Sequence, residues 1–281
     1  MTYAKIDANS HDTASAALDL FKPPPTKTST LKGNTRHINP IGDADNAQIE
    51  FEFRTNNFNY WNPANTRLLV QGKVVKANGD AIDDADTCTV VPVTNFMHAL
   101  WQVAILSLDN GDISYEANYP HVAYTETLVS RSYGHKKTIA ASAGWIEDRA
   151  GRVDRADIDN SMKADIKARK ALISSSKTFE LCDHLHIPFL NQIRYGKTNT
   201  TVKLTLTRSS DKLCLMSTDA ADNEAYKVII SKCTLLVHEI VINPSIITAH
   251  TTLLSGGNQV MYPLNQVESQ MFTISAGKIS D

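Results

Sequence analysis

Apolar and polar residues alternate along several separate stretches of the chain, most clearly from Thr200 to Arg208. There Val202, Leu204 and Leu206 interleave with Lys203, Thr205 and Thr207. A period of two places the three apolar side chains on one face of a strand. Gln48 to Arg54 reads the same way, with Ile49, Phe51 and Phe53 against Glu50 and Glu52. Arg67 to Lys76, Trp101 to Leu108 and Lys177 to Cys182 are further predicted strands. Tyr226 to Ile242 is a long one, rich in β-branched residues, that stops at Asn243-Pro244 because proline cannot donate to a ladder. Ala77-Asn78-Gly79-Asp80 and Asp109-Asn110-Gly111-Asp112 supply hairpin turns, the second returning through Ile113-Ser114-Tyr115. Val260 to Leu264 and Gln266 to Ser275 read as late strands.

Helices fall in the connections. Pro92 to Leu100 holds a short one. Tyr119-Pro120-His121 opens another that runs to about Ser130, with proline where a missing N–H costs nothing. Asn160 caps a helix from Ser161 to Leu172. Asn243-Pro244-Ser245 starts a last helix, which Gly256-Gly257 ends. Asn56 to Asn65 and residues 80–89 read as loops, and residues 131–176 as a long irregular insertion of the kind that carries function or contacts. Residues 1–35 read as an arm, weakly helical from Asp12 to Leu20 and extended through Lys22-Pro23-Pro24-Pro25-Thr26. It is either a tail or a strap that orders against a neighbouring subunit. Strands joined by turns, with helices only in long connections, predict an all-β antiparallel sandwich. Its expected core is Phe51, Phe53, Leu69, Ile105, Val202, Leu204, Leu206, Val228, Ile230 and Leu235.

Composition narrows the function classes. The 281 residues allow one large β domain or two small ones. A formal charge of −2 leaves no basic excess to neutralise phosphates, so whole-molecule nucleic-acid binding is not indicated. Cys88, Cys182, Cys214 and Cys233 form no Cys-x-x-Cys pair. The N-terminus shows no basic segment followed by an apolar core, and no apolar run approaches the roughly 20 residues that span a bilayer. The expectation is an intracellular product with reduced thiols, without a secretory signal or transmembrane segment.

The sharpest local constellation is Cys182-Asp183-His184-Leu185-His186. If it is extended, Cys182, His184 and His186 share a face and offer one sulfur and two nitrogens to zinc. A cupin also carries His-x-His on a strand, but needs a Glu shortly after it, and Ile187-Pro188-Phe189-Leu190-Asn191 holds none. Satisfied or exposed histidines are the plainer reading. Arg152 to Ser161 is similar to a calcium loop without its sixth-position Gly or terminal Glu. Gly134-His135-Lys136-Lys137-Thr138 has the tail of a phosphate loop without its leading Gly or a preceding strand. Arg131, His135, Lys136 and Lys137 form a basic face suited to an acidic neighbour such as Asp80, Asp83, Asp84 and Asp86 on another subunit. Tyr60, Trp61 and Trp145 offer either a carbohydrate-stacking surface or core packing. Gly-x-Ser-x-Gly, a dinucleotide fingerprint and His-Glu-x-x-His are all missing. No active site is legible, and no cofactor is implied.

An ordered series of motifs carries a family resemblance. Asp19-Leu20-Phe21 and Pro24-Pro25-Thr26 lie in the arm, followed by Tyr119-Pro120 with Tyr124, Glu126, Thr127 and Leu128. Then come Arg208-Ser209 with Asp211, Cys214-Leu215-Met216, Tyr226-Lys227-Val228, Ile242 with Pro244-Ser245, and Ala249-His250. Tyr262-Pro263 and Phe272-Thr273-Ile274 with Ala276-Gly277 close the series. In this order the chain resembles the hexon-like major capsid protein of Polintons and adintoviruses. The resemblance implies a structural, non-enzymatic virion protein built as a double jelly roll. Three copies would form a pseudo-hexameric capsomer of an icosahedral shell, alongside other capsid proteins. Family members continue past the Phe-Thr-Ile motif to build the second roll. The resemblance therefore implies a first jelly roll over 36–255, with 256–281 as the connection and first strand of a second. A truncated or split product and a single-roll descendant are both open. The alternatives are a jelly-roll carbohydrate- or ligand-binding module and a metal-dependent cupin-like enzyme.

Overall fold

The computed structural model describes residues 18, 20, 21, 23, 28–85, 87–147, 163–217, 226–265, 267, 269, 270 and 272. The long strands are β1 (Thr30–Ile38), β2 (Gln48–Arg54), β3 (Asn59–Lys76), β5 (Trp101–Leu108) and β6 (Gly111–Glu116). They continue with β7 (Phe179–Asp183), β8 (Thr201–Arg208) and β10 (Tyr226–Ile242). Two three-residue strands, β4 (Val90–Pro92) and β9 (Leu215–Ser217), pair only with each other.

All pairing is antiparallel, in two four-stranded sheets ordered β1-β10-β3-β7 and β2-β8-β5-β6. Among the long strands the first pairs with the last, the second with the seventh, the third with the sixth and the fourth with the fifth. A long antiparallel ribbon rolled up on itself gives this order. The fold is an antiparallel jelly-roll sandwich.

The core lies between the sheets. Phe51, Phe53, Val202, Leu204, Leu206, Val228, Ile230 and Leu235 are buried in it as the alternation predicts. Leu69 and Ile105 are not: they point to the outer side and are half-buried, while Leu68, Val70, Ala104 and Leu106 face inward. In a run such as Leu68-Leu69-Val70 period two does not choose the face, and a shift of one residue reverses it. β10 switches phase at a register shift between Ile230 and Lys232. Its buried positions move from Val228 and Ile230 to Cys233, Leu235 and Val237.

Other boundaries differ from expectation. Asn59 to Asn65, expected as loop, belongs to β3, and Pro63 sits where the register against β10 slips, between the Asn62–His238 and Arg67–Leu236 pairs. An irregularity in the ladder is where a residue without an N–H is tolerated. Residues 30–35, expected in the arm, pair with β10 as part of β1. Val260 to Leu264 is irregular rather than a strand. The strand expected from Gln266 and the helix expected from Asp12 fall largely outside the described residues.

The helices are α1 (Phe96–Ala99), α2 (Tyr119–Ser130), α3 (Tyr133–Lys137), α4 (Lys163–Ile173), α5 (Asp211–Cys214) and α6 (Pro244–Ser255). Two close approaches occur within the β1-β10-β3-β7 sheet and at its edge. A Cβ on Gly72 would lie 2.6 Å from the Ile229 carbonyl oxygen and 2.8 Å from the Phe179 ring, and one on Gly196 would lie 2.8 Å from Trp61.

Candidate functional site

The histidine constellation folds, but not as a shared strand face. β7 stops at Asp183, leaving Cys182 half-buried on the outer side and Asp183 buried on the inner side. His184 and His186 follow in irregular backbone. Among the described residues no group of three or more His, Cys, Asp or Glu side chains forms a metal-ligand set. The structure gathers His184 and His186 with a third histidine that sequence reasoning missed, His98 of α1. The His98 and His186 rings lie 4.8 Å apart, and those of His184 and His186 lie 5.0 Å apart.

Asp183 and Tyr119 organise this cluster. The His186 backbone N–H donates to the Tyr119 hydroxyl at 3.2 Å. That hydroxyl lies 2.8 Å from His98 Nδ1 and donates to it. His98 then carries its proton on Nε2, facing Asp183 Oδ2 at 3.8 Å. Asp183 Oδ1 accepts from the His184 backbone N–H at 2.8 Å and from its Nδ1 at 3.2 Å. Arg131 donates to His184 Nε2 at 2.7 Å. His186 donates from Nδ1 to Glu126 Oε2 at 2.9 Å and places Nε2 3.2 Å from Thr127 Oγ1.

Electrostatics follow from burial. Desolvation lowers His98 to about 4, against the opposing pull of Asp183, so its ring is neutral near pH 7. Burial works to raise Asp183, but its contacts with His184 and His98 outweigh that and hold the carboxyl well below the usual range. The hydrogen bond from His186 lowers Glu126 against the pull of burial. Burial pushes the Tyr119 phenol well above its ordinary value. The cluster ties α1 and α2 to the end of β7. It is a polar latch, and it presents neither a nucleophile beside a base nor an open metal position.

The other candidates are placed as follows. Tyr60, Trp61 and Trp145 are all buried, so they form no stacking surface for a sugar. Trp61 packs edge-on to Phe53 and stacks on Phe189, and its Nε1 donates to Thr66 Oγ1 at 2.7 Å. Trp145 packs on Tyr124 beneath Lys136. Gly134 to Thr138 lies in and just after α3, with a helix rather than a strand before it. Arg131 is engaged by the latch, Lys136 Nζ donates to the Leu128 carbonyl at 2.7 Å, and Lys137 lies 4.4 Å from the Tyr133 ring centre. Asp83 pairs with Lys76 at 3.5 Å, Asp80 accepts from Asn78, and Asp84 accepts from Thr87. Asp86 and the calcium-like segment Arg152 to Ser161 lie outside the described residues.

One open face is apolar. No residue of α6 is buried, although it carries Ile246, Ile247, Leu253 and Leu254. Between α6, the end of β10 and residues 258–262 runs a cleft of about 480 Å³, lined among others by Ile193, Ile246, Leu253, Leu254, Met261 and Tyr262. Across it the Tyr60 hydroxyl meets His250 Nδ1 at 2.8 Å.

No protein-family model matches the chain, and no curated protein is similar to it. Among solved structures it is similar to a chain of the Sputnik virophage, at 8% identity with a TM-score of 0.53, over 86% of this chain. The two share the fold. This chain spans 55% of the Sputnik chain's length. Weaker likenesses join it to the mavirus major capsid protein (15% identity, TM-score 0.45, 88% of this chain and 55% of that one) and the Faustovirus major capsid protein (8%, 0.47, 84% and 58%).

Proposed function

We propose that this chain is a structural capsid protein whose work is assembly rather than catalysis. The observation that carries the reading is α6: a helix with four large apolar side chains and no buried residue, beside an apolar cleft, on a jelly-roll sandwich. Apolar surface gathered in this way marks a contact site. The fold shared with a virophage chain supports the reading, and so does the resemblance to Polinton and adintovirus major capsid proteins. On this reading residues 36–255, with β1 reaching back to Thr30, form the first of two rolls, and 256–281 are the connection and first strand of the second. The α6 face and cleft receive the second roll or a neighbouring capsomer subunit. Three copies build a pseudo-hexameric capsomer, with the virion as its location. A sugar-binding reading has lost its aromatic surface to the core, and a Cys-His-His metal reading has lost its shared face.

The test is the molar mass of the purified chain by light scattering across concentration. A trimer or a discrete larger assembly is the expected result. A monomer at every concentration would count against assembly by this chain alone.

A further inference from the structure

β6 ends with a residue that breaks the pattern of its strand. Ser114 and Glu116 face the core side, while Tyr115 between them is exposed. Glu116 is only 4% exposed, opposite the small Ala104 of β5. Among the described residues no donor or cation is within hydrogen-bond distance of its carboxylate. Burial raises its pKa, and the field of Glu126 raises it further. The nearby cation does not serve it, because Arg131 is turned to His184.

Glu116 lines a cleft of about 460 Å³ that opens beside α2. Glu126, on the same lining, already accepts a hydrogen bond from His186 Nδ1 at 2.9 Å. Val122, Pro188 and Pro263 give the cleft apolar wall. Gln192 commits its amide N–H to the Pro263 carbonyl, and Asn191 commits its own to Glu126 Oε1 at 3.5 Å. Each keeps a side-chain carbonyl oxygen as an acceptor in the same lining. The lining therefore holds a buried carboxylate without a partner, two further acceptors and an apolar wall, with the Arg131 guanidinium at its edge committed to His184. An unpartnered buried carboxylate is costly, and a cation that reaches it removes the cost.

We propose that this cleft binds an ammonium or guanidinium group on a short aliphatic stem, with Glu116 as its buried counter-ion. The stem lies along Val122 and Pro263, and the head group donates to Glu116 and the amide oxygens of Asn191 and Gln192. Two sources carry such a group: a free alkylamine and a lysine or arginine side chain of another polypeptide.

The test uses the full chain with its glutamate side-chain carboxyl carbons labelled with carbon-13. n-Butylamine, N-acetyl-lysine N-methylamide and the neutral n-butanol are titrated separately at pH 7. Both amines should move the Glu116 resonance in a saturable way, and n-butanol should not. Glu116→Gln should weaken amine binding by at least about tenfold, as loss of a charge-assisted contact does, read from the remaining shifts in the lining. Glu52→Gln on the exposed side of β2 should leave it unchanged. Tighter binding of the lysine derivative than of n-butylamine assigns the site to a polypeptide side chain, and equal binding assigns it to a free amine. Absence of a saturable Glu116 shift in the unmodified chain, which needs no variant to fold, overturns the proposal. Equal amine affinity in Glu116→Gln overturns it too.

Discussion

Helices α2 and α6 are twelve residues each, and both begin with asparagine followed within two residues by proline. Their surroundings differ. α2 buries Tyr119, Pro120, Val122, Ala123 and Thr127, and three of its side chains, Tyr119, Glu126 and Thr127, enter the polar latch. α6 buries nothing. Capping chemistry sets where a helix begins, while packing decides what holds it in place. α2 has its partners within the described fold. α6 presents apolar side chains with little of the molecule over them, and the capsid reading rests on that difference.

The largest expected effect attacks the latch. Asp183 serves the His184 backbone, the His184 ring and the buried His98 at once. Asp183→Ala removes the acceptor of both His184 donors and the charge that faces the buried His98, and should cost about 3–5 kcal/mol in denaturant unfolding. A loss under about 1 kcal/mol would mean that water replaces the carboxylate and that α2 is held by its apolar contacts alone.

Acid probes the same latch. Burial lowers His98 from 6.5 to about 4, so the unfolded chain takes up this proton at a higher pH than the folded one. Stability should therefore fall as pH drops from about 6.5 to about 4, by roughly 3 kcal/mol in all for this group. Asp183 and Glu126 are depressed carboxylates, and their contribution is lost below the ordinary carboxylate range. The three effects share a sign, so in the latch acid destabilises, while Glu116, raised by burial, works the other way. Unfolding free energies measured against pH should show this slope, and His98→Gln should flatten it between pH 6.5 and 4. An unchanged slope in that variant would place the proton elsewhere.

The sandwich was legible in the sequence because two-residue alternation reports directly which face is buried. β2 and β8 follow from it, while β5 and β10 were legible as strands but not in face, since Ile105 lies on the outer side and β10 changes phase at its bulge. The latch was not legible as a unit. His98 lies about 85 residues before His184, and only the fold brings α1 beside the end of β7. Cys182, His184 and His186 looked like one face because the strand was extended too far; the backbone leaves the sheet at Asp183 and turns His186 toward α2. The sequence leaves Tyr60 and Trp61 open between a stacking surface and core packing because Asn56 to Asn65 reads as loop, whereas β3 carries Trp61 into the core between the sheets and Tyr60 to the opposite face, against Ile240, Ile242 and α6. Glu116 drew no notice because one carboxylate in a hairpin strand is unremarkable until its face is known.

A smaller effect separates the two helix starts. Asn243 Oδ1 accepts from the Ser245 N–H at 3.1 Å, a side-chain cap. Asn118 makes no side-chain cap; its amide donates instead to the Ser269 carbonyl at 3.3 Å. Asn243→Ala should destabilise α6 by about 1 kcal/mol, read as faster amide hydrogen exchange across its first turns. Asn118→Ala should leave exchange in α2 within about twofold. Equal effects at both sites would mean that α6 is anchored as firmly as α2.

The smallest expected change in stability carries the most weight for function. Leu253 and Leu254 are exposed on α6, so replacing both with serine removes no core contact. The unfolding free energy should stay within about 0.5 kcal/mol, as for other surface substitutions. Association is a different matter, because burial of apolar area drives it. If the α6 face is the assembly contact, the double variant should lose the concentration-dependent rise in mass while its Tm is unchanged. If instead the double variant is clearly destabilised as a monomer, α6 packs against its own chain in solution and the face is not open for a partner. Unchanged mass and unchanged Tm together would move the contact off α6, leaving the exposed Leu128, Val129 and Tyr133 beside the basic face as the next surface to change.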